Sequence, residues 1–183
     1  MRVVLARGGA SAVTLESVAA EAGLSKGGLL YHFKNKEALY TGLLDAATAE
    51  VTAAMAERTA TQSPARAYLE YSLPQSELEA AYTSALIAAV RADDSVGAGA
   101  AAQLVEVFHR WDAPLLDGLD DPVQAQTIRL VGLGLYLGAV AGLPIPDKDL
   151  LSELIERLIA GVTPLPATGR TAARAPAAPP TSR

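Results

Sequence analysis

The chain has 183 residues, of which half are apolar and none is cysteine, and its formal net charge is −5. This length suits one compact domain, or a small module on a larger body. The absence of cysteine excludes disulfides, thiol catalysis and thiolate metal sites. We find no apolar run of the about 20 residues that a membrane helix needs, and no secretion signal, so we expect a cytoplasmic protein.

The acidic charge is unevenly distributed along the chain. Residues 1–45 carry five basic and four acidic side chains, whereas residues 46–162 carry seven basic and sixteen acidic ones. Residues 163–183 carry three arginines and no acid. Because an acidic surface does not bind a phosphate backbone, any DNA-binding surface is expected at the N-terminal end.

Helix is favoured along most of the chain, because alanine and leucine dominate and β-branched runs are few. Glycines and capping residues mark the boundaries in the N-terminal third. The helices predicted there are a short one that ends at Gly8-Gly9, one from the N-cap Thr14 to Gly23, one from about Ser25 to His32, and one that follows the cap Asn35 and runs from Lys36 to about Thr59.

The remaining two thirds of the chain predict five more helices, two of them started by a cap followed by proline. They begin at Ser63-Pro64, cover about Gln75–Ala92 and about Ala100–Trp111 after a loop at 93–99, run from Asp121-Pro122 to Gly142, and run from the cap Asp147 to Gly161. Beyond Thr163 the chain lacks periodicity and predicts a disordered tail. The fold class is therefore all-α, with domains at 1–45 and 46–162 and the tail at 163–183.

Two short helices that meet at Gly23-Leu24 have the layout of a DNA-binding helix-turn-helix. In the second of them, Leu29 and Phe33, together with the preceding Leu24, are predicted to point inward. The outward positions suit a major groove. Lys26 can donate to bases or phosphate, Leu30 can pack on a thymine methyl, Gly27 and Gly28 allow close backbone approach, and Tyr31, His32 and Lys36 can donate to phosphates.

The stretch Gly23-Leu24-Ser25-Lys26-Gly27-Gly28-Leu29-Leu30-Tyr31-His32-Phe33-Lys34-Asn35-Lys36-Glu37-Ala38-Leu39, preceded by Thr14-Leu15-Glu16-Ser17-Val18-Ala19, resembles the DNA-binding signature of the TetR (tetracycline-repressor) family. The resemblance implies a homodimer in which a three-helix DNA-binding module is joined to a ligand-binding and dimerisation body of about six helices. It implies DNA contacts from Ser25, Lys26, Gly27, Tyr31, His32 and Lys36, and a phosphate contact from Thr14. Leu30 departs from the tyrosine often found at its position, and the first helix is shorter than is usual in the family.

A ligand pocket in the body is predicted from its aromatic side chains, with His109 added as a polar candidate. These residues are Tyr68, Tyr71, Tyr82, Phe108, His109, Trp111 and Tyr136. Together they could line a pocket between helices, and the acidic body suits a cationic, aromatic inducer. The alternative is that each aromatic residue belongs to the core and that His109 is a packed or capping residue.

A dimer seam is predicted from the glycine-spaced segment 132–138 together with the leucines and isoleucines of the last helix, 150–159. The alternative is internal packing of the same helices. The twofold dimer would set two recognition helices ~34 Å apart on a palindromic operator.

The sequence predicts neither an enzyme nor a metal or cofactor site, because no phosphate loop, hydrolase elbow or metal-ligand spacing occurs in it. The interpretation is a repressor released from DNA by a small molecule. The alternatives are a regulator without an inducer or one that activates, and a helical binding protein or enzyme that reuses the fold.

Overall fold

The computed structural model describes residues 1–92 and 96–162, and over these residues it contains nine α-helices and no strand. The all-α prediction is confirmed. The tail at 163–183 lies outside the described residues, as does part of the loop predicted at 93–99. The helices are α1 (Arg2–Ala12), α2 (Leu15–Glu21), α3 (Lys26–His32), α4 (Lys36–Thr59), α5 (Pro64–Tyr71), α6 (Glu77–Ala92), α7 (Ala100–Gly118), α8 (Pro122–Val140) and α9 (Lys148–Ile159).

The helix starts follow local capping chemistry. The side chain of Asn35 accepts a hydrogen bond from the backbone N–H of Ala38 at 2.8 Å, and α4 begins at the next residue, as predicted. Asp147 accepts from the N–H of Leu150 at 2.9 Å at the start of α9. Each bond satisfies a backbone donor that the first helical turn leaves free.

The first helix does not end at Gly8-Gly9, as the sequence predicted. Gly9 has φ 65° and ψ −165°, a conformation open mainly to glycine, and it kinks the chain. Helical structure then resumes and α1 ends at Ala12. The glycine pair therefore marks a break within the helix rather than its end.

The seventh helix is longer than predicted, because it continues past Trp111 to Gly118 and contains Pro114. A proline inside a helix removes one backbone hydrogen bond. Here, continuing the helix places Leu115, which is fully buried, on the same face as Trp111. Burial of that face outweighs the lost bond.

The buried apolar side chains form two clusters. The first contains residues of α1, α2, α3, α4, α6 and the start of α7. It includes Leu5, Leu29, Leu44 and Leu86. The second lies in the body around Trp111, where α5, α7, α8 and α9 meet the part of α4 that contains Met55. Residues predicted to lie in the DNA-binding module therefore share a core with the body.

Candidate functional site

Helices α2 and α3 form a helix-turn-helix with a tight turn at Gly23. The φ of Gly23 is +66°, and the N–H groups of Gly23 and Leu24 donate to the carbonyls of Ala20 and Ala19 at 3.1 and 2.9 Å. This is the Schellman arrangement that ends a helix on a left-handed residue. It directs the chain out of α2 and into α3.

The outward face of α3 is confirmed. Tyr31 is 85% exposed and Leu30 is 37% exposed, whereas Leu29 is buried in the first core. A Cβ added at Gly27 would meet no atom within 4 Å, so the helix surface is open there. Lys26, Gly28 and His32 are also exposed.

Two of the predicted DNA contacts are helix caps. The hydroxyl of Thr14 accepts from the N–H of Ser17, and that of Ser25 accepts from the N–H of Gly28, each at 3.0 Å. Both residues remain exposed. They therefore fix the starts of α2 and α3 and can also face a phosphate.

The two predicted lysine contacts already have partners within the protein. Lys26 forms an ion pair with Glu16 of α2, and the hydrogen bond from Lys26 lowers the pKa of that carboxyl group. The ammonium of Lys36 donates to the carbonyl of Ala10 at 3.1 Å. Lys36 thereby ties the start of α4 to the end of α1, a structural contact that the sequence did not suggest.

The prediction that Leu24 points inward is wrong, because its side chain is 49% exposed. Leu24 follows the left-handed Gly23 in the turn, so its side chain leaves the helical face that packs on the core. Phe33 packs as predicted, against the first core. A Cβ on Gly42 of α4 would lie 2.7 Å from the Phe33 ring, so the absence of a side chain there lets α3 dock on α4.

The body contains a cavity of about 280 Å³ whose lining residues come from six helices, α1 and α4 to α8. Its aromatic wall comes from Tyr71, Tyr82, Phe108, Trp111 and Tyr136, which the sequence predicted as pocket residues. Trp111 contacts Tyr136 edge-on with ring centroids 5.2 Å apart. The other lining residues are Arg2, Leu44, Ala47, Glu50, Val51, Ser76, Leu78, Glu79, Thr83, Leu86, Leu104 and Val107.

Two predicted pocket residues do not line this cavity. Tyr68 is fully buried, stacks on Trp111 at 4.7 Å between ring centroids, and donates from its hydroxyl to the carbonyl of Arg129 at 3.0 Å. It therefore belongs to the second core. His109 lies on the exposed face of α7. Its exposure excludes the packed alternative as well.

The charged side chains of the cavity lie on three helices. Arg2 of α1 donates to Glu50 of α4 at 2.5 Å, and its guanidinium lies 5.2 Å from the ring centroid of Tyr82 in α6. Glu79 of α6 accepts from the N–H of Gln75 at 2.8 Å, and among the described residues no basic side chain forms an ion pair with it. One basic and two acidic side chains give the lining a formal net charge of −1.

The phenols of the cavity supply no negative charge at neutral pH. Burial raises the pKa of Tyr136, and it also raises the pKa of Tyr71 and of Tyr82. The Tyr136 hydroxyl lies 3.3 Å from the Thr83 hydroxyl, so it is available for neutral hydrogen bonding. A cation in this cavity would be neutralised by Glu50 or Glu79.

Two models of known protein families match this chain. Residues 62–163, more than half of the sequence, match the family described as "Tetracyclin repressor-like, C-terminal domain", and residues 2–43 match "Bacterial regulatory proteins, tetR family". The chain belongs to the TetR family. It is thus a DNA-binding transcriptional regulator, and α2 and α3 are its helix-turn-helix.

A solved structure has the same overall fold. The crystal structure of a transcriptional regulator from Rhodococcus sp. Rha1 superposes with a TM-score of 0.62 at 22% identity, over 88% of this chain and 92% of that chain. The likeness shows a shared fold. A search of curated protein sequences finds no significant match.

The charged part of the cavity in this TetR chain was not predicted from the sequence. Arg2, Glu50 and Glu79 occur in three separate helices, and each alone resembles an ordinary surface charge. Within the described ranges no group of three histidine or acidic residues could hold a metal ion. Of the helices in those ranges, none has the length and hydropathy needed to traverse a bilayer.

Proposed function

We propose that this TetR-family protein is a cytoplasmic repressor that a cationic, aromatic small molecule releases from a palindromic operator. The observation that carries the proposal is the cavity, because its wall combines five aromatic rings with a net negative charge. Aromatic faces attract cations, and a nearby carboxylate adds to that attraction. A ligand releases DNA only if it binds the DNA-free conformation more tightly.

The single tryptophan of the chain provides a direct test of ligand binding, because Trp111 is part of the cavity wall. Tetraphenylphosphonium and tetraphenylborate have similar shapes and opposite charges. We expect the cation to change Trp111 fluorescence saturably and to weaken binding to a duplex that the protein selects from a random pool. Release by the borate but not by the phosphonium would reverse the assigned charge of the ligand, and release by neither would refute the inducer proposal.

The proposed DNA surface comprises the N-cap residues of α2 and α3, exposed residues of α3 and the first residue of α4. These are Thr14, Ser25, Lys26, Gly27, Gly28, Leu30, Tyr31, His32 and Lys36. Lys26 would exchange Glu16 for a phosphate, and Lys36 would act by holding α4 against α1. The exposed aromatic pair, with Tyr31 and His32 centroids 5.1 Å apart, stands at the end of α3 that leads to α4.

Replacement of that pair tests the surface. We expect the double change Tyr31→Ala, His32→Ala to lower DNA affinity about tenfold or more, because two donors to phosphate are lost. His109→Ala is the matched control, because it removes an exposed histidine from α7. Equal affinity of the double variant and the wild type for the same duplex would place the DNA surface elsewhere.

A second copy of the chain is the proposed occupant of the exposed face of α8. Val123, Leu130 and Leu137 are 73, 62 and 39% exposed and recur every seven residues, so they form one apolar stripe. Gly134 lies within the stripe and its Cβ position meets no atom within 4 Å. Leu143, Ile145 and Leu150, which follow α8 in the sequence, are also exposed apolar residues.

For the glycine-spaced segment 132–138, the sequence left open a dimer seam and internal packing, and different glycines of the segment fit each of these. Gly132 packs inside the subunit, where an added Cβ would lie 2.4 Å from atoms of both Tyr68 and Ser72, whereas Gly134 faces outward. In α9, Ile155 is buried and only Leu150 is an exposed large apolar residue. The proposed seam is thus centred on α8.

The dimer proposal is tested by sedimentation. We expect Leu130→Arg to convert the protein to a monomer with native helix content, because a charge would enter a desolvated seam. Val105→Arg is the control, since Val105 is a comparably exposed apolar residue of α7 at 67%. A Leu130→Arg protein that remains dimeric would contradict the seam.

A further inference from the structure

We propose that Arg2 occupies the cation site of the cavity in the DNA-binding state and that a cationic ligand releases DNA by displacing Arg2 from Glu50. This inference rests on the proposed function and adds to it the contact through which the ligand acts. Arg2 belongs to α1, in the DNA-binding module, yet it lines the ligand cavity.

The surroundings of Arg2 have the features of a cation site. A carboxylate, Glu50, accepts its hydrogen bond at 2.5 Å, and an aromatic ring, Tyr82, lies 5.2 Å from its guanidinium carbon. Glu79 lines the same cavity and has no ion-pair partner among the described side chains. A ligand cation entering this cavity meets the ring of Tyr82 and the carboxylate of Glu50 that already hold Arg2, so the two cations compete for them.

Displacement of Arg2 has a direct route to the DNA surface. Helix α1 packs on α6 and α2, and its Leu5 is fully buried in the core that also contains Leu29 of α3. The Arg2–Glu50 pair holds the N-terminal end of α1 on α4, while Lys36 holds the other end through the carbonyl of Ala10. Loss of the first contact frees one end of α1 and lets the helix-turn-helix tilt relative to the body.

The size of the effect follows from the exposure of the pair. The side chains of Arg2 and Glu50 are 33 and 57% exposed, so water screens their attraction. Partly exposed pairs of this kind change an equilibrium by about two- to fivefold. We therefore expect the pair to account for part of the ligand response rather than all of it.

The test measures three quantities for the full chain: DNA affinity alone, tetraphenylphosphonium affinity from Trp111 fluorescence, and the ratio of DNA affinities without and with the cation. Arg2→Gln removes the internal competitor. We expect it to bind DNA about two- to fivefold more weakly, to bind the cation more tightly by a similar factor, and to show a ratio smaller by the same factor.

Two further variants separate the ion pair from general damage to α1. The exchanged pair Arg2→Glu, Glu50→Arg keeps the charge balance, and we expect it to recover DNA affinity relative to Arg2→Gln. Arg7→Gln changes an arginine of the same helix that pairs with Glu21 outside the cavity, and we expect its ratio to match the wild type.

The outcomes distinguish this inference from the proposed function. If the cation releases wild-type and Arg2→Gln proteins from DNA by the same factor, the ligand acts without Arg2 and the inference is overturned, while the inducible function stands. If the wild type itself shows neither a fluorescence change nor release, the inducer proposal fails and this inference fails with it.

Discussion

Replacing Gly132 by alanine should destabilise the protein, although alanine is the better helix former. Gly132 is buried in α8. A Cβ there would lie 2.4 Å from both the Ser72 hydroxyl oxygen and Cε1 of Tyr68. Ordinary carbon contacts lie at about 3.5–4.0 Å, so the neighbours would have to move by about 1 Å.

The neighbours of Gly132 have little freedom to move. The Tyr68 ring stacks on Trp111 and its hydroxyl is bound to the carbonyl of Arg129, while the Ser72 hydroxyl donates to the carbonyl of Tyr68 at 2.7 Å. Overpacking of a core costs about 1–3 kcal/mol. Replacing glycine by alanine inside a helix stabilises the folded state by up to about 1 kcal/mol through helix propensity. We expect a net loss of about 1–2 kcal/mol, or about 2–8 °C in Tm for a chain of this size.

Urea unfolding followed by Trp111 fluorescence measures this loss, because the only tryptophan lies beside the clash. Gly27→Ala is the control, since Gly27 is exposed inside α3, away from the proposed α8 seam, and its Cβ would meet no atom within 4 Å. We expect the control, unfolded without DNA, to equal or exceed wild-type stability at the same protein concentration. If Gly132→Ala is as stable as Gly27→Ala, the packing of α8 on α5 is not as close as the structure has it.

Two further substitutions address the DNA surface and the body. Glu16→Gln should strengthen DNA binding and steepen its salt dependence by about one phosphate contact, because Lys26 loses its internal partner and a negative charge leaves the surface. Filter binding over a salt series would show this, with Glu153→Gln as the control; a weaker complex would contradict it. Asp112→Ala should cost about 1–3 kcal/mol in urea unfolding, since the Arg129 guanidinium that donates to Asp112 at 2.6 Å would remain half-buried without its acceptor. Wild-type stability in that variant would show that Arg129 reaches water instead.

Most helix starts could be predicted because their signals are local. Thr14 and Asn35 each accept from the N–H of the residue three positions later, a contact that needs no information from the rest of the chain. The extent of α7 could not be predicted in this way. Its continuation through Pro114 depends on burial of Leu115, which only the packed body provides.

The sequence predicted that aromatic residues line a cavity in the body, but it could not predict which of them face the cavity. Tyr68 and Tyr71 are three residues apart on α5, yet Tyr68 is part of the core and Tyr71 lines the cavity. Helical periodicity places both on neighbouring faces without deciding which one meets the cavity. The Arg2–Glu50 pair joins residues 48 positions apart, so no spacing rule could have indicated it.

The core shared by α1, α4 and α6 affects how this protein can be recombined with its relatives. A chimera joined at residue 45 would place a foreign α1 against the native Leu86 and Ala89 of α6, and these surfaces have not been matched to each other. Such an exchange of DNA-binding modules would also separate Arg2 from Glu50. A functional chimera therefore has to include the core-facing residues of α6 from the same relative as the DNA-binding module. The parts to be exchanged together are defined by their packing interface rather than by a continuous stretch of sequence.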